Sequence, residues 1–212
     1  AAEAVLVADH LGVPPVVDPV PPITLLVEVA ATVDPTDGLA SAVADLGPLV
    51  SDDGTVVAVD GPRQRDLWRH REGLTEAIST LGPPHKLDVS LPAGAIAPFV
   101  DDVRAALAAH GSELRCWVFG HLGDGNVHVN VTGAGPGDTT IDDTVLALVL
   151  DHGGSVSAEH GVGVAKGRWT TRQRGADEVA TLAAVRAAVD PDGILNPAVL
   201  PRVPGSPSGR TG

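Results

Sequence analysis

The sequence predicts an α+β fold in which an antiparallel sheet carries helices on one face. Segments rich in Val, Leu and Ile that suit strands alternate with amphipathic segments of helical period over most of the 212 residues. Two of the strands are joined by Asp124-Gly125, the dipeptide that a two-residue type I′ hairpin turn prefers, so these two strands must run antiparallel. Together the alternation and the hairpin indicate a ferredoxin-like arrangement.

The first part of the chain is interpreted as the end of a preceding domain and its linker, over residues 1–22. A helical pattern stops at Gly12, and five prolines make the following stretch stiff and extended. The chain contains no methionine, so we expect a processed product or, in preference, the C-terminal part of a longer protein. The remainder divides into a main domain over residues 23–200 and a tail over residues 201–212, rich in Pro, Gly and Ser, that we expect to be disordered.

Within the main domain, strands and helices follow one another. Pro62 suits the first turn of a helix that runs to about Ser79. The final helix, over residues 176–189, places four apolar residues from Val179 to Val189 along one stripe. The other predicted elements are strands over residues 24–31, 55–59, 85–91, 114–120 and 126–132, and helices over residues 36–46, 94–109, 138–152 and from about 164.

The composition narrows the possible partners and the compartment. Acidic residues outnumber basic ones by 27 to 14, which gives a formal net charge of −13. A surface this acidic argues against nucleic acid and anionic membranes as partners. No apolar run reaches the roughly 18 residues of a membrane span, nothing resembles a signal peptide, and the single cysteine excludes an internal disulfide. These observations predict a cytoplasmic protein without a membrane span.

The hairpin brings polar residues together on one face. With Asp124 and Gly125 as the turn, His121 lies directly opposite His128. Residues opposite each other on an antiparallel pair share a face, with Cβ atoms about 4.5–5.5 Å apart. Asn130 follows on the same face, whereas the valines between these residues point to the core. Two imidazoles at this separation can bind one metal ion; the alternative is an ordinary solvated histidine pair.

Glu159 lies near glycines in a predicted turn and could complete a set of two histidines and one glutamate around a divalent ion. Such a set leaves coordination positions for a substrate. Nitrogen and oxygen donors suit zinc, and manganese, iron and cobalt stay open. His160 cannot easily bind the same ion because neighbouring side chains diverge, so we expect it nearby as an acid–base group. The alternative is a surface turn with two polar residues.

Three further residues could bind a carboxylate. Arg71 and Thr75 are four residues apart on a predicted helix, and Lys86 begins the next strand. A guanidinium, a hydroxyl and an ammonium group together suit a carboxylate ligand. The alternative is a solvated face on which Glu72 and Glu76 form ion pairs, and spacing alone favours this alternative.

Four stretches of the sequence resemble one known family. They are residues 68–92 (WRHREGLTEAISTLGPPHKLDVSLP), the hairpin GHLGDGNVHVNV, residues 155–163 (SVSAEHGVG) and residues 190–197 (DPDGILNP). Together they resemble the C-terminal domain of the flavin-linked D-2-hydroxyacid dehydrogenases, which belong to the FAD-linked oxidases. The resemblance covers nearly the whole chain, to about residue 201, and the hairpin and SAEHG motifs are specific in combination.

The resemblance implies roles for individual residues. The matched positions are His121, His128 and Glu159 for the metal, His160 for the base, Arg71, Thr75, Lys86 and Asn130 for the substrate's carboxylates and hydroxyl, and Asn196 for a contact with the flavin. The chain contains no Gly-rich strand–turn–helix motif for a dinucleotide. FAD is therefore expected to be held mainly by an N-terminal FAD-binding domain outside this chain.

The resemblance also implies a function. The chain would be the substrate and cap half of a two-domain flavoenzyme that oxidises a D-2-hydroxyacid to the 2-oxoacid, with zinc as the expected metal. D-2-hydroxyglutarate is the expected substrate, with D-lactate and glycolate as alternatives, and the electron acceptor is open. An alternative of another class is a non-catalytic fragment that binds a metal and a ligand, and a metal hydrolase is a third. We expect the isolated 212 residues to be inactive.

Overall fold

The computed structural model describes residues 1–50, 54–196 and 198–199. These residues belong to two compact units, unit 1 from Ala1 to Pro83 and unit 2 from Pro84 onward, and each is described by itself. The tail predicted over residues 201–212 lies outside the described residues. The boundary predicted at residue 22 concerns a domain beyond this chain and stays a prediction.

Unit 1 is built from helices around a small apolar core. Its helices are α1 (Ala2–Leu11), α2 (Thr36–Asp45), α3 (Gly61–Glu72) and α4 (Leu74–Ser79). The stop predicted for the first helix is confirmed, since Gly12 has the left-handed φ of 68° that ends a helix. α3 begins at Gly61, with the predicted Pro62 in its first turn, and the Asp60 side chain caps it by accepting a hydrogen bond from the backbone nitrogen of Arg63 at 2.9 Å. The core side chains are Val7, Ala8, Leu74, Ala77 and Ile78.

The prediction of two strands in unit 1 is wrong. Residues 24–31 and 55–59 adopt neither helix nor strand, and no strand of the described chain pairs with them. Their apolar side chains are exposed, as Leu25 at 58% and Val57 at 59% illustrate. Alternating aliphatic residues suit a strand, but a strand forms only where a neighbour supplies the hydrogen bonds of its backbone.

The helix predicted from Pro62 to Ser79 is interrupted at Gly73. A Cβ atom at Gly73 would lie 3.0 Å from the backbone oxygen of Arg69 and 3.0 Å from the Cγ2 methyl carbon of Val7 in α1, so a larger residue would be crowded there. Glycine in turn weakens a continuous helix. Arg71 and Thr75 therefore lie on two successive helices and not on one helix.

Unit 2 contains the sheet. Its elements are β1 (His85–Ser90), α5 (Ile96–His110), β2 (Arg115–His121), β3 (Asn126–Thr132), α6 (Thr139–Asp151), α7 (Thr170–Arg174) and α8 (Ala176–Val189). The strands form an antiparallel sheet in the order β1-β3-β2. After α6 the chain returns to the edge of β1, where Ser155 forms an isolated antiparallel bridge with Ser90. This β-α-β-β-α order with a closing bridge confirms the α+β prediction.

The two faces of the sheet differ in chemistry. α5 and α6 cover one face, which confirms the prediction of helices on one side. The buried side chains there are Leu87, Val89, Val127, Val129 and Val131 from the sheet and Phe99, Val103, Leu107, Ile141, Val145, Leu146 and Val149 from the two helices. Because side chains alternate along a strand, the polar residues between these aliphatic ones all point to the opposite face.

The predicted register of the hairpin is wrong by two residues. In the structure His121 is opposite Asn126, and His128 is opposite Phe119. The strands are therefore joined by residues 122–125, four residues where a two-residue turn was predicted. A shift of two residues leaves every side chain on its predicted face, because the side-chain period of a strand is two. His121 and His128 consequently remain on one face, as diagonal neighbours.

Two hydrogen bonds, one within the loop and one with the chain beside it, hold the longer loop. The backbone nitrogen of Leu91, just after β1, donates a hydrogen bond to the carbonyl oxygen of Gly125 at 2.9 Å. The Asp124 side chain accepts from the backbone nitrogen of Asn126 at 2.9 Å. The loop is thus held by its own aspartate and by the chain beside it, and these contacts replace the ladder pairs that a two-residue turn would form.

The C-terminal helices differ from their predictions in detail. The helix predicted from about residue 164 starts later, with a short 3-10 turn over Gly167–Trp169 that leads into α7. α8 has the predicted bounds, but its apolar stripe is exposed, with Val189 at 72%, while Ala183 and Arg186 are buried. Helical period identifies a helix, but only its neighbours decide which side is covered.

Replacing Gly125 with alanine should destabilise the protein. Gly125 has a φ of 74°, and an added Cβ would lie 2.2 Å from the carbonyl oxygen of Leu91. We expect Gly125→Ala to lower the free energy of unfolding by about 2 kcal/mol or more, from left-handed strain and the clash together. Gly123→Ala in the same loop is the control, because nothing lies within 4 Å of its Cβ position. Urea denaturation of both variants measures the difference, and equal losses would contradict it.

Candidate functional site

The polar face of the sheet in unit 2 is the candidate site. β3 is the central strand and presents Asn126, His128 and Asn130 on this face. β1 lies beside it with Lys86 opposite Asn130 and Asp88 opposite His128. Antiparallel pairing of two strands whose polar residues are in phase therefore places these side chains in two adjacent rows.

Three predicted metal ligands come together at one end of this face. His121, His128 and Glu159 each offer one ligand atom, and these atoms all lie within 4.8 Å of one another. The Nδ1 atom of His121 is 3.4 Å from Oε1 of Glu159. Two donors about 2.1 Å from a tetrahedral ion lie about 3.4 Å apart, so this spacing suits a shared ion. The rings of His121 and His128 are 6.4 Å apart between centroids and nearly perpendicular, at 75°.

His160 lies beside these ligands. Its Nε2 atom is 3.9 Å from Oε2 of Glu159, and its ring centroid is 6.4 Å from that of His128. The side chain is 72% exposed, so the imidazole can be reached from solvent. The structure thus places His160 next to the three predicted ligand side chains, and its role as an acid–base group stays a prediction.

Asp88 accepts hydrogen bonds from β3 and from the loop that carries Glu159. Its Oδ2 atom accepts hydrogen bonds from the backbone nitrogens of Glu159 at 2.9 Å and His160 at 3.0 Å, and its Oδ1 atom accepts from Nδ2 of Asn126 at 3.0 Å. Burial acts to raise the pKa of Asp88, but the hydrogen bonds from His160, Glu159 and Asn126 and the nearby His128 together hold the pKa below its ordinary value. Asp88 is therefore an anion in the folded protein at neutral pH.

Asn126 carries a buried acceptor that lacks a partner. The residue is 3% exposed, and among the described residues its Oδ1 atom has no hydrogen-bond donor. Buried amide oxygens almost always have a partner, so this atom calls for a donor or a cation from outside the protein. Asn126 is directly opposite His121 on the polar face. Together with two imidazoles and a carboxylate, this oxygen fits a divalent cation or the hydroxyl of a ligand held there.

The residues predicted to bind the substrate are divided between the two units. Lys86 and Asn130 are cross-strand partners in unit 2, where Lys86 is exposed and Asn130 is 4% exposed. Arg71 and Thr75 belong to unit 1, the first half-buried and the second exposed. The binding of a carboxylate by these four residues stays a prediction.

Asn196 lies in a turn that Asp190 organises. Asp190 accepts hydrogen bonds from the backbone nitrogens of Ile194 at 2.9 Å and Leu195 at 3.0 Å, and it pairs with Arg186 at 3.5 Å. Burial acts to raise the pKa of Asp190, but these contacts outweigh it and lower the pKa below its ordinary value. Asn196 itself has a φ of 39°, a left-handed conformation that asparagine tolerates. Its contact with a flavin stays a prediction.

Sequence reasoning missed three residues of this site, Asp88, Asn126 and Lys166. The Nζ atom of Lys166 donates to the main-chain oxygen of Asp88, and burial lowers the pKa of this lysine. A signal was present for Asp88, because alternation along β1 places it on the same face as Lys86 and opposite to Leu87 and Val89. No spacing in the sequence could have revealed Lys166, since its contact spans 78 residues.

Comparisons with known proteins identify the family of this chain. Residues 1–200 match the family model described as FAD linked oxidases, C-terminal domain. The D-2-hydroxyglutarate dehydrogenase, mitochondrial, of Arabidopsis thaliana is 40% identical over 152 residues, which are 70% of this chain and 26% of that protein. The D-2-hydroxyglutarate dehydrogenase of Stutzerimonas stutzeri is 35% identical over 141 residues (63% and 30%), and the mitochondrial one of Danio rerio is 36% identical over 148 residues (68% and 27%).

The matches cover only part of each relative. The chain spans between about a quarter and a third of the length of these curated relatives. In the part of the chain that the structure describes, no helix combines the length and the apolar character needed to cross a bilayer.

The turn around Asn196 should depend on pH through Asp190. A carboxyl whose pKa is lowered by folding stabilises the fold above its unfolded pKa of about 4, and this contribution is lost as the pH falls through the folded pKa. We expect the amides of Ile194 and Leu195 to be protected from hydrogen exchange at pH 6 and to lose protection below about pH 4. Asp190→Asn should remove most of the protection at pH 6. Protection unaffected by this substitution would contradict the role of Asp190.

Proposed function

We propose that this chain, which belongs to the C-terminal domain family of the FAD-linked oxidases, is the substrate- and metal-binding part of a dehydrogenase that oxidises a D-2-hydroxyacid to the 2-oxoacid. The observation that carries the proposal is the group of His121, His128 and Glu159 with His160 beside it, on a face of the sheet that is lined with polar side chains. The named activity of the relatives supports the reaction class.

The three ligands suit zinc. Two imidazoles and one carboxylate leave one or more coordination positions for the hydroxyl and carboxylate of a substrate. A zinc ion bound there would act as a Lewis acid and lower the pKa of the substrate's hydroxyl. FAD, held mainly by an N-terminal FAD-binding domain and contacted by Asn196, would accept the hydride.

The chain's own residues bind and orient the substrate and move its proton. Lys86 and Asn130, cross-strand partners in unit 2, supply donors for a carboxylate and for the hydroxyl. The carboxylate-binding roles of Arg71 and Thr75, which belong to unit 1, stay predictions from the sequence. Holding the substrate in one orientation can account for a large part of a rate enhancement. Nε2 of His160 takes the hydroxyl proton while hydride leaves C2 of the substrate. The exposed side chain of His160 can pass the proton to solvent afterwards.

D-2-hydroxyglutarate is the best candidate substrate. It carries two carboxylates, and the sequence predicts two cationic residues, Arg71 and Lys86, as carboxylate-binding residues, whereas D-lactate and glycolate carry one carboxylate each. The relatives named above act, by their names, on D-2-hydroxyglutarate. D-lactate and glycolate are the alternatives within the family.

A second candidate function is a protein that binds a metal and a ligand without catalysis. The absence of a Gly-rich dinucleotide-binding motif from the 212 residues favours it for this chain in isolation. A hydrolase that uses metal-bound water is a weaker candidate, because it gives no reason for the carboxylate-binding residues. The electron acceptor is open. The cytoplasmic location predicted from the sequence stays a prediction, and some relatives are mitochondrial by name.

The metal site can be tested on the chain of 212 residues, because all three ligands lie in unit 2. Elemental analysis of the purified chain should find about one divalent ion per molecule, and zinc is expected from the donor set. The double variant His121→Ala/His128→Ala should lose it. His10→Ala/His110→Ala is the matched control, since both of its histidines lie outside the polar face. Absence of metal from the wild-type chain after zinc loading would contradict the proposed metal site.

The reaction can be tested on the full-length protein. We expect D-2-hydroxyglutarate to reduce the bound FAD faster than D-lactate or glycolate under anaerobic conditions. His160→Gln should slow this reduction by about 10²- to 10⁴-fold, because it removes the base, while the metal content stays unchanged. His110→Gln should react like the wild type. Near-normal flavin reduction by His160→Gln would exclude His160 as the base, and no reduction by any 2-hydroxyacid would favour the non-catalytic alternative.

A further inference from the structure

We propose that Asp88 is the positioning residue of the metal site: its one carboxylate orients His128 and holds the backbone of Glu159, so that the metal ligands are placed before the ion arrives. The inference rests on the proposed function, because it takes His121, His128 and Glu159 as ligands of a divalent ion. It adds a residue that binds neither ion nor substrate and that acts through the ligands.

The first line of support is the hold of Asp88 on the segment that carries Glu159. Both backbone N–H groups of Glu159 and His160 donate to the same oxygen, Oδ2, at 2.9 and 3.0 Å. Hydrogen bonds to a charged acceptor are about twice as strong as neutral ones. This contact fixes the point at which the Glu159 side chain leaves the backbone, and it fixes His160 in the same way.

The second line of support is the orientation of His128. The Nδ1 atom of this imidazole lies 3.5 Å from Oδ1 of Asp88. The two residues are cross-strand partners in β1 and β3, so the sheet itself makes the carboxylate face the ring. A carboxylate next to Nδ1 favours the tautomer with the proton on that atom and leaves the lone pair of Nε2 for an ion. Metal-binding histidines commonly have such a carboxylate partner.

The third line of support is that Asp88 is itself held firmly. Asn126 donates to Oδ1 at 3.0 Å, and Lys166 donates to the main-chain oxygen. Both ends of the segment 159–166 therefore form hydrogen bonds with Asp88. Glu159 donates to its carboxylate, and Lys166 donates to its main-chain oxygen. The side chain is 10% exposed, so solvent competes little for these hydrogen bonds. Its negative charge also adds to that of Glu159 and favours a cation at the site.

A purely structural role makes a different prediction from a positioning role. A buried carboxylate that accepts three hydrogen bonds would stabilise the fold whether or not a metal binds, and its loss would lower the melting temperature alone. Loss of a residue that orients ligands also lowers the metal affinity of the folded protein, commonly by 10- to 100-fold. Metal affinity measured on folded protein therefore separates the two roles.

The test is a zinc titration of the chain against a competing chromophoric chelator, at a temperature where circular dichroism shows each variant to be folded. We expect Asp88→Asn to bind zinc about 10- to 100-fold more weakly than the wild type. The control is Asp102→Asn, which removes a carboxylate that is 2.8 Å from His152 and lies on α5, the helix that packs on the opposite face of the sheet. Its zinc affinity should stay within about twofold of wild type, because distant sites act independently.

A second measurement needs no variant and covers the case in which Asp88→Asn does not fold. Long-range proton–nitrogen NMR of the metal-free wild-type chain reports which ring nitrogen of His128 carries the proton when the ring is neutral. We expect the proton on Nδ1. A proton on Nε2 would overturn the proposal, as would a zinc affinity of folded Asp88→Asn equal to that of the wild type. If the wild type does not bind zinc, the metal site of the proposed function is overturned together with this proposal. If the wild type binds zinc and folded Asp88→Asn binds it equally well, only the role of Asp88 is overturned.

Discussion

The antiparallel pairing of β1 with β3 is the constraint on which unit 2 depends. Its register sets Leu87, Val89 and the valines of β3 on the face that α5 and α6 cover. The same register sets Asp88 opposite His128 on the other face. A slip of one residue would bury the polar set and expose the aliphatic set, so the apolar core and the candidate site are specified by one pairing.

The candidate site combines rigid and adjustable parts. His128 and Asp88 are cross-strand partners in the sheet and are largely buried, whereas Glu159 and His160 lie in a loop outside the helices and strands. The loop is held because its backbone donates to Asp88, and the side chain of Glu159, a predicted ligand, remains 44% exposed. A fixed backbone with an accessible carboxylate suits the ion- and substrate-binding site that we propose.

The buried polar groups distinguish this site from an ordinary polar surface. A solvated pair of histidines needs no buried carboxylate beside it and no buried amide oxygen without a partner. Asp88 is nevertheless held as an anion by donated hydrogen bonds, and Oδ1 of Asn126 lacks a donor among the described residues. Such groups are costly to keep in a folded protein unless they serve a ligand or the residues that hold it. The surrounding chemistry therefore favours a binding role over the solvated alternative.

The sequence by itself determined the α+β class, most helices, the hairpin strands and the face on which His121, His128 and Asn130 lie. These follow from local periodicity, since a period of two assigns a face even when the register is wrong by two residues. Only the tertiary structure decided that residues 24–31 and 55–59 form no strands, that Gly73 divides a helix, and that Asp88, Asn126 and Lys166 support the site. Those features depend on partners distant in sequence, such as the 78 residues between Lys166 and Asp88, and local pattern carries no information about such partners.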